Sequence, residues 1–505
     1  RRGENGTFFS EVAPGPNAFQ EFTINSSNYS AEFGNSSGGV INFTIKSGGN
    51  DFHGEGYLYL INEAFNANIT LNRLTDLPRP RDRQKDFGFS IGGPVRLPKK
   101  VFGPLGYDGR NRTFFFFNYG GYRTNQSESV EVSVPTARMR NGDFGELLTD
   151  PKVLQFFGGP VQIYDPRQPA GQRDAFLGNI IPLDAIDPVG RNFVNLFPLP
   201  NQTGPLGSTV FHNYRASSNA VAKTNYYVTK ITQVLSSKQQ LNFSATYRKL
   251  PSTKGGFPRF PEPFVAQGVW DQTFRSYYFR LQHDYAITPR LLNHVNLGWN
   301  RTDVQNFNFG RGAGRATALG LPAGSTQDLG QPLIGFPGYG DPVTSVDPRA
   351  YQTGGSTFFD NQVGDNTAEF SDNVTYTRGR HTFKFGGNAR RQQLNVDFHF
   401  DIGGNFNFKS NQTGNTNDLT QGWPIASMLT GKPEFSFNSL QTIAPSFEYL
   451  FAAGFVQDDI KVTSKLTLNL GVRYDYDRPR NERHDRYRGF YPDVANPAAG
   501  GRRGA

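Results

Sequence analysis

The chain has 505 residues, a formal net charge of +9 and 14% aromatic residues, with 46 Phe, 2 Met and 0 Cys. The lack of Cys excludes disulfide staples, cysteine nucleophiles and thiolate metal sites. No window of about 18 uncharged apolar residues occurs, so no transmembrane helix is predicted, although strands that cross a membrane escape such scans because lumen-facing polar residues dilute them.

In chain order, residues 1–50 read as a separate piece. It carries two short predicted strands, Phe19–Ile24 and Val40–Lys46, with Gly38–Gly39 before the second and the turn signal Gly48–Gly49–Asn50–Asp51 after it. From residue 52 the pattern changes to long segments in which apolar or aromatic side chains fall on every second position. The clearest is Leu466, Leu468, Leu470, Val472, Tyr474 and Tyr476, alternating with Thr467, Asn469, Gly471, Arg473 and Asp475. A period of two is a β-strand with one greasy and one wet face. At about 3.3 Å per residue such a strand crosses a bilayer at a tilt.

Strands are predicted at 52–60, 86–95, 112–122, 225–235, 239–248, 273–285, 292–301, 367–376, 381–390, 449–459 and 465–477. The connections after 235, 285, 376 and 459 are short, those after 60, 122, 248, 301 and 390 are long and polar, and 96–111 is intermediate. Bacterial barrels place short turns in the periplasm and long loops outside, and the alternation here keeps that parity at every step. The long connections are expected to be surface loops shaping an extracellular mouth, with one short helix within Ile180–Pro198 that ends at Pro198. A soluble sandwich or propeller also shows alternation, but less often repeats long strands joined in turn by short and very long connections.

Catalytic, cofactor and metal signals are sparse. The seven His residues (53, 212, 283, 294, 381, 399 and 484) show no metalloprotease spacing, and no nucleophile elbow, phosphate loop or dinucleotide fingerprint is present. His283 and His294 lie on opposite strands of one hairpin and could face each other; ordinary strand positions are the simpler reading. Asp458 and Asp459 are adjacent on a strand, point to opposite faces, and suit turn capping better than acid–base chemistry. Asn411–Asp418 offers oxygen ligands for calcium, but its spacing matches no dedicated loop. Phe114–Phe117 is either a strand buried on both faces or one with lipid on one side and an inner domain on the other. No catalytic, cofactor-binding or metal-binding residue is therefore assigned, no cofactor is expected, substrate-binding residues are left open, and the protein is expected not to be an enzyme. The densest basic runs, Arg79–Arg83, Arg478–Arg488 and the final GRRGA, read as solvated loops or contacts to lipopolysaccharide, not as a nucleic-acid face.

A resemblance is carried by specific residues. Glu21–Phe22, Tyr29–Ser30–Ala31–Glu32–Phe33–Gly34, Ser37–Gly38–Gly39–Val40–Ile41–Asn42 and Lys46–Gly54 resemble the end of a TonB-dependent receptor plug, most closely in the Oar-like branch. Phe87–Pro94, Asn111–Tyr119 and Gly454–Tyr476 resemble barrel segments of the same family. The resemblance implies an all-β chain: an antiparallel transmembrane β-barrel with 11 predicted strands, about half of the roughly 22 in family barrels, after the C-terminal part of a plug at 1–50. It further implies an outer-membrane receptor-transporter that takes up a bulky substrate, with TonB and its inner-membrane energising complex as partners, outer-membrane lipid and lipopolysaccharide around it, and an extracellular glycan, peptide or protein as substrate. The plug start with its TonB box and the last barrel strands are not in this sequence, so it is expected to be part of a longer protein. The alternatives are a passive outer-membrane porin or adhesin barrel and a secreted β-rich carbohydrate-active protein.

Overall fold

A computed structural model describes residues 16–503 apart from 27–29, 35–38, 69, 71–72, 74–78, 256–268, 309–310, 322–329, 356–359, 400–402, 416–419, 438–443, 487–490 and 498–499. Two short strands, β1 (Phe19–Asn25) and β2 (Val40–Ile45), pair with each other and, among the described residues, with nothing else. The following eleven long strands form one continuous antiparallel wall: β3 (His53–Ile61), β4 (Asp82–Pro94), β5 (Thr113–Val132), β6 (Tyr214–Ser236), β7 (Gln239–Gly255), β8 (Val269–Thr288), β9 (Leu291–Asn308), β10 (Asp360–Arg378), β11 (His381–His399), β12 (Ser446–Lys461) and β13 (Thr467–Asp477). Each pairs with its neighbour in sequence, and among the described residues no ladder joins β3 to β13.

All eleven predicted strands are present. At the short-turn end their limits agree to within three residues; at the other end most run further, β6 starting at Tyr214 where alternation predicts 225. Crossing lipid takes only about 9–11 residues. Beyond that belt both faces meet water or other chain, so the apolar period fades while the backbone ladder continues.

The register shows how the alternation sorts side chains. One row runs across nine strands through Phe115, Ile231, Phe243, Leu281, Leu297, Phe370, Ala389, Ala452 and Tyr476. The row displaced by one residue reads Phe116, Lys230, Ser244, Arg280, Gly298, Glu369, Arg390, Phe451 and Asp477. Leu297, Phe370, Val472 and Tyr474 of the apolar side are exposed by 45–77%. An uninterrupted apolar band of this extent is unfavourable in water and suits hydrocarbon. No described helix is long and apolar enough to cross a membrane. Phe114–Phe117 follows the same rule: Phe116 is buried on the inner side, and Phe115 and Phe117 belong to the outer.

The main hydrophobic core lies outside the wall. The connections 133–213, 309–359 and 400–445, expected as separate surface loops, pack together over the end opposite the short turns. Their shared core includes Val134, Met139, Phe144, Leu147, Phe193, Phe197, Ile334, Tyr351, Phe408, Trp423 and Leu429. Trp423 donates from Nε1 to Tyr351 Oη at 2.9 Å, tying the third connection to the second, and Thr413 O accepts from Tyr164 N at 2.9 Å, tying it to the first. Leu333–Gly335 pairs with Asn405–Asn407, which pairs with Phe435–Phe437. The expected helix is Pro188–Leu196, opened by Pro188 at its first position and by Asp187, whose Oδ1 accepts from Gly190 N at 2.7 Å. It packs on the helix Pro424–Leu429, where Gly190 lies against the Met428 carbonyl so closely that an added Cβ would be 2.1 Å away. Buried Asn213 closes the base of the first connection by bonding both N–H and C=O of Val134 at 2.8 and 2.9 Å. Arg349 is held between the rings of Phe157 and Tyr339, each 4.7 Å away, and pairs with Asp347 at 2.7 Å. These segments form one folded cap.

Two outcomes follow from this arrangement. Leu297→Arg places a charge in the apolar belt and is expected to cost about 2–4 kcal/mol, whereas Ser371→Arg on the inner face costs far less. Unfolding titrations of the detergent-folded intact protein check the difference. In the cap, burial holds the His212 imidazole below its ordinary pKa, with nearby Lys152 adding to the effect and Glu131 opposing it. The folded cap thus binds fewer protons than the unfolded chain as pH falls through about 6.5, so its stability is lost on that side and recovered above it. Hydrogen-exchange protection factors over 133–213, taken against the intrinsic rate at each pH, are expected to fall between pH 7 and 5, and to fall less in His212→Asn.

Candidate functional site

The inner face of the wall is where the β1–β2 piece is seated. Ala18, just before β1, is fully buried with Tyr226 and Val228 of β6, and Ile45 of β2 packs beside them. Lys230 Nζ donates to Ile45 O at 3.2 Å, and Lys46 pairs with Glu55 of β3 at 2.9 Å. Tyr226 and Tyr57 share a hydroxyl–hydroxyl bond of 2.8 Å on the same face.

The segment between the two short strands is clasped by polar side chains from the far side of the wall. Gln457 Oε1 on β12 accepts from Ser30 Oγ at 2.9 Å and from Ala31 N at 2.7 Å. Arg473 on β13 donates from Nη1 to Ala31 O at 3.3 Å and Glu32 O at 3.0 Å, and from Nη2 to Asn388 Oδ1 at 2.9 Å. Asp475 Oδ1 accepts from Arg473 Nε at 2.7 Å and orients the guanidinium. Asn373 Nδ2 donates to Glu32 Oε1 at 3.0 Å. Gly34 leaves space for the guanidinium: a Cβ there would sit 2.2 Å from Arg473 Nε and displace that side chain from its present position. Gly48 packs on the backbone of the wall, its would-be Cβ 2.2 Å from Phe115 O. The two sequence motifs thus mark places where this inner piece touches the barrel. Hydrogen bonds to neutral partners contribute about 0.5–1.5 kcal/mol net each and those to charged groups about 1.5–3. Such a clasp holds a segment in place while leaving it separable from the wall without breaking the ladder.

Beside the clasp lies a polar cavity of about 550 Å³, bounded by Glu32 and by residues of seven consecutive strands, β6 to β12. Asp284, His294, Asn373 and Lys384 line it. His294 Nδ1 is 2.6 Å from Asp284 Oδ1, and Lys384 pairs with Asp459 at 2.9 Å. These polar groups alternate with apolar ones, including Val234, Leu292, Val374 and Phe455.

The residues weighed in the sequence are placed as follows. His283 lies opposite Val295 and His294 opposite Asp284, so the two histidines do not face each other. Asp458 and Asp459 do point to opposite faces, yet neither caps a turn: Asp458 accepts from or pairs with His381 at 2.7 Å, and Asp459 with Lys384. These cross-strand partners outweigh turn capping because the ladder brings opposite charges within reach. At the calcium candidate, Asn411 O and Gly414 O are occupied by the Arg173 guanidinium at 3.1 and 2.5 Å, while 416–418 lie outside the described residues. No group of three or more metal-ligating side chains occurs among the described residues. The clasp residues Gln457, Arg473 and Asn373 drew no attention in the sequence, since each is one polar position in an alternating strand. Arg473→Ala removes four donor contacts, two of them to the clasped segment, and is expected to raise hydrogen exchange of residues 30–34 about tenfold or more, with little change in β12 or β13.

The model of an outer membrane beta barrel domain matches residues 44–504. No curated protein matches the sequence. Among solved structures, the outer membrane transporter YddB from Escherichia coli is similar over 92% of this chain and 44% of its own, with 11% identity and a TM-score of 0.46. A mutant of the ferric enterobactin receptor PfeA from Pseudomonas aeruginosa is similar over 95% and 48%, with 12% identity and a TM-score of 0.43. The siderophore receptor PirA from Acinetobacter baumannii is similar over 92% and 45%, with 10% identity and a TM-score of 0.41. The chain spans under half the length of each of these proteins. It belongs to the outer membrane β-barrel family, and its wall is an antiparallel barrel segment of the outer membrane.

Proposed function

We propose that this chain is part of a TonB-dependent outer-membrane receptor of the Oar-like type, which binds a bulky extracellular substrate and passes it through a plugged barrel. The observation that carries this reading is the seating of the described residues within 16–46 against the inner face: among the described residues their two strands pair only with each other, and side chains hold them to the wall. A segment joined to the wall by ladder hydrogen bonds would be part of the barrel; one held by a few side-chain bonds is a removable obstruction.

On this reading residues 1–50 are the C-terminal part of the plug, the short turns face the periplasm and the cap faces the cell exterior. Force on the plug, transmitted by TonB from the inner-membrane proton gradient, would break the bonds at Gln457, Arg473 and Asn373 and widen the polar cavity into a path. Lipid and lipopolysaccharide would surround the wall. Arg275, Arg301, Arg483, His484 and Arg486 border a cavity of about 500 Å³ together with Asp303 and Asp397, and Arg301 is paired with Asp303 at 2.8 Å. No catalytic step belongs to this mechanism.

Conductance of the intact protein in planar bilayers tests the reading. The wild type is expected to stay closed, and deletion of residues 16–46 to produce a large steady conductance. A passive porin would conduct in both forms. Co-sedimentation with the periplasmic domain of TonB, absent when the segment upstream of the plug is removed, tests the energising partner.

A further inference from the structure

The turns at the short end of the wall share one sign of charge, and one of them carries an exposed apolar tip. Lys and Arg number five in residues 95–112, one each in 236–239 and 288–291, and two each in 378–381 and 461–467, against a single acid, Asp108. All of these cations are exposed, and Asp108 is already paired with Arg96 at 3.5 Å. On the adjoining strands Asp458 and Asp459 are engaged by His381 and Lys384, and Asp51 adds one exposed acid in the link before β3. The turns therefore hold about as much positive charge as the whole chain carries net, +9, so the charge is concentrated on this rim. A rim of one sign attracts an anionic surface.

The connection 95–112 says what kind of surface that is. Arg96–Leu97 pairs with Tyr107–Asp108, and the helical turns Lys99–Phe102 and Gly103–Leu105 fold between them. Tyr107 Oη hydrogen-bonds Thr113 Oγ1, which donates to Gln233 Oε1 at 2.6 Å. Thr113 and Gln233 stand two positions from Phe115 and Ile231 on β5 and β6, so they share the lipid-facing side. Tyr107 thus fastens the small hairpin to the lipid side of the rim. At its tip Val101, Phe102 and Leu105 are exposed by 76, 44 and 78%, in sequence beside Lys99 and Lys100. Exposed apolar side chains among cations, continuous with an apolar belt, suit the boundary between headgroups and acyl chains. We propose that the short-turn rim binds the anionic headgroups of glycerophospholipids, with the hairpin 95–112 as its anchor. Val101, Phe102 and Leu105 enter the acyl boundary, while Lys99, Lys100 and Arg110 pair with phosphate.

This inference rests on the reading that the short turns face the periplasm, where the leaflet is built of glycerophospholipids, but its test does not involve transport. The intact protein is reconstituted in phosphatidylcholine bilayers with a trace of spin-labelled lipid. Labelled phosphatidylglycerol is expected to be enriched about threefold or more over labelled phosphatidylcholine in the motionally restricted shell, and the preference to fall as salt screens the charges. The combined change Lys99→Gln, Lys100→Gln and Arg110→Gln should remove much of that preference and leave thermal unfolding unchanged. A nitroxide on Val101→Cys is expected to meet oxygen more readily than a water-soluble nickel complex. Equal uptake of the two phospholipids, a preference indifferent to the triple substitution, or stronger selection of lipopolysaccharide by the same cations would overturn the assignment. So would a label at 101 that meets mainly the nickel complex, as in water, or neither reagent, as under another protein segment. An open pore that keeps the phosphatidylglycerol preference would lose the gated-transport reading and retain this rim; a closed pore without the preference would do the reverse.

Discussion

The backbone hydrogen-bond ladder is the constraint on which everything else depends. Lipid offers no partner for a peptide N–H or C=O, so a sheet that spans it must satisfy each group within itself and finally close. Strict pairing of every wall strand with its neighbour in sequence meets that demand with the simplest topology available, and it fixes which side chain meets which. Among the described residues His53–Ile61 and Thr467–Asp477 stand at the two ends of the ladder.

Because the ladder supplies the stability of the wall, the inner face is free to be polar. Arg280, Glu369, Arg390 and Lys230 can sit there without a hydrophobic core behind them. The same polarity makes the contact with the inner piece a matter of oriented donors and acceptors. Gln457 and Arg473 grip main-chain atoms of Ala31 and Glu32, so the grip depends on backbone shape, and Gly34 leaves room for the Arg473 side chain beside it. A hydrophobic seal of the same size would be harder to release, since its strength scales with buried area and it resists local opening.

The cap obeys the opposite rule. It stands above the belt, in water, and folds as soluble proteins do, around a core of aromatic and aliphatic side chains from three distant connections. Rigid apolar packing thus lies in the cap and separable polar contacts lie at the clasp around Arg473, a division that fits the proposed function.

The sequence by itself determined the wall. Period-two alternation is a local property, and in a sheet with lipid on one side it maps directly onto faces, so strands such as Leu466–Asp477 and the parity of their connections were legible. Motifs such as Tyr29–Gly34 and Lys46–Gly54 were visible too, though not what they touch. Tertiary structure alone decided the cap, whose defining contacts join residues such as Tyr351 and Trp423, 72 positions apart, in segments rich in Gly and Pro that read as loops. It alone decided the clasp, because residues 30–34 and 457–473 are brought together only when the wall curves around the inner piece. Alternation records which face a residue occupies; it carries no information about what that face will meet, since the partner is set by long-range folding and not by neighbours in the chain.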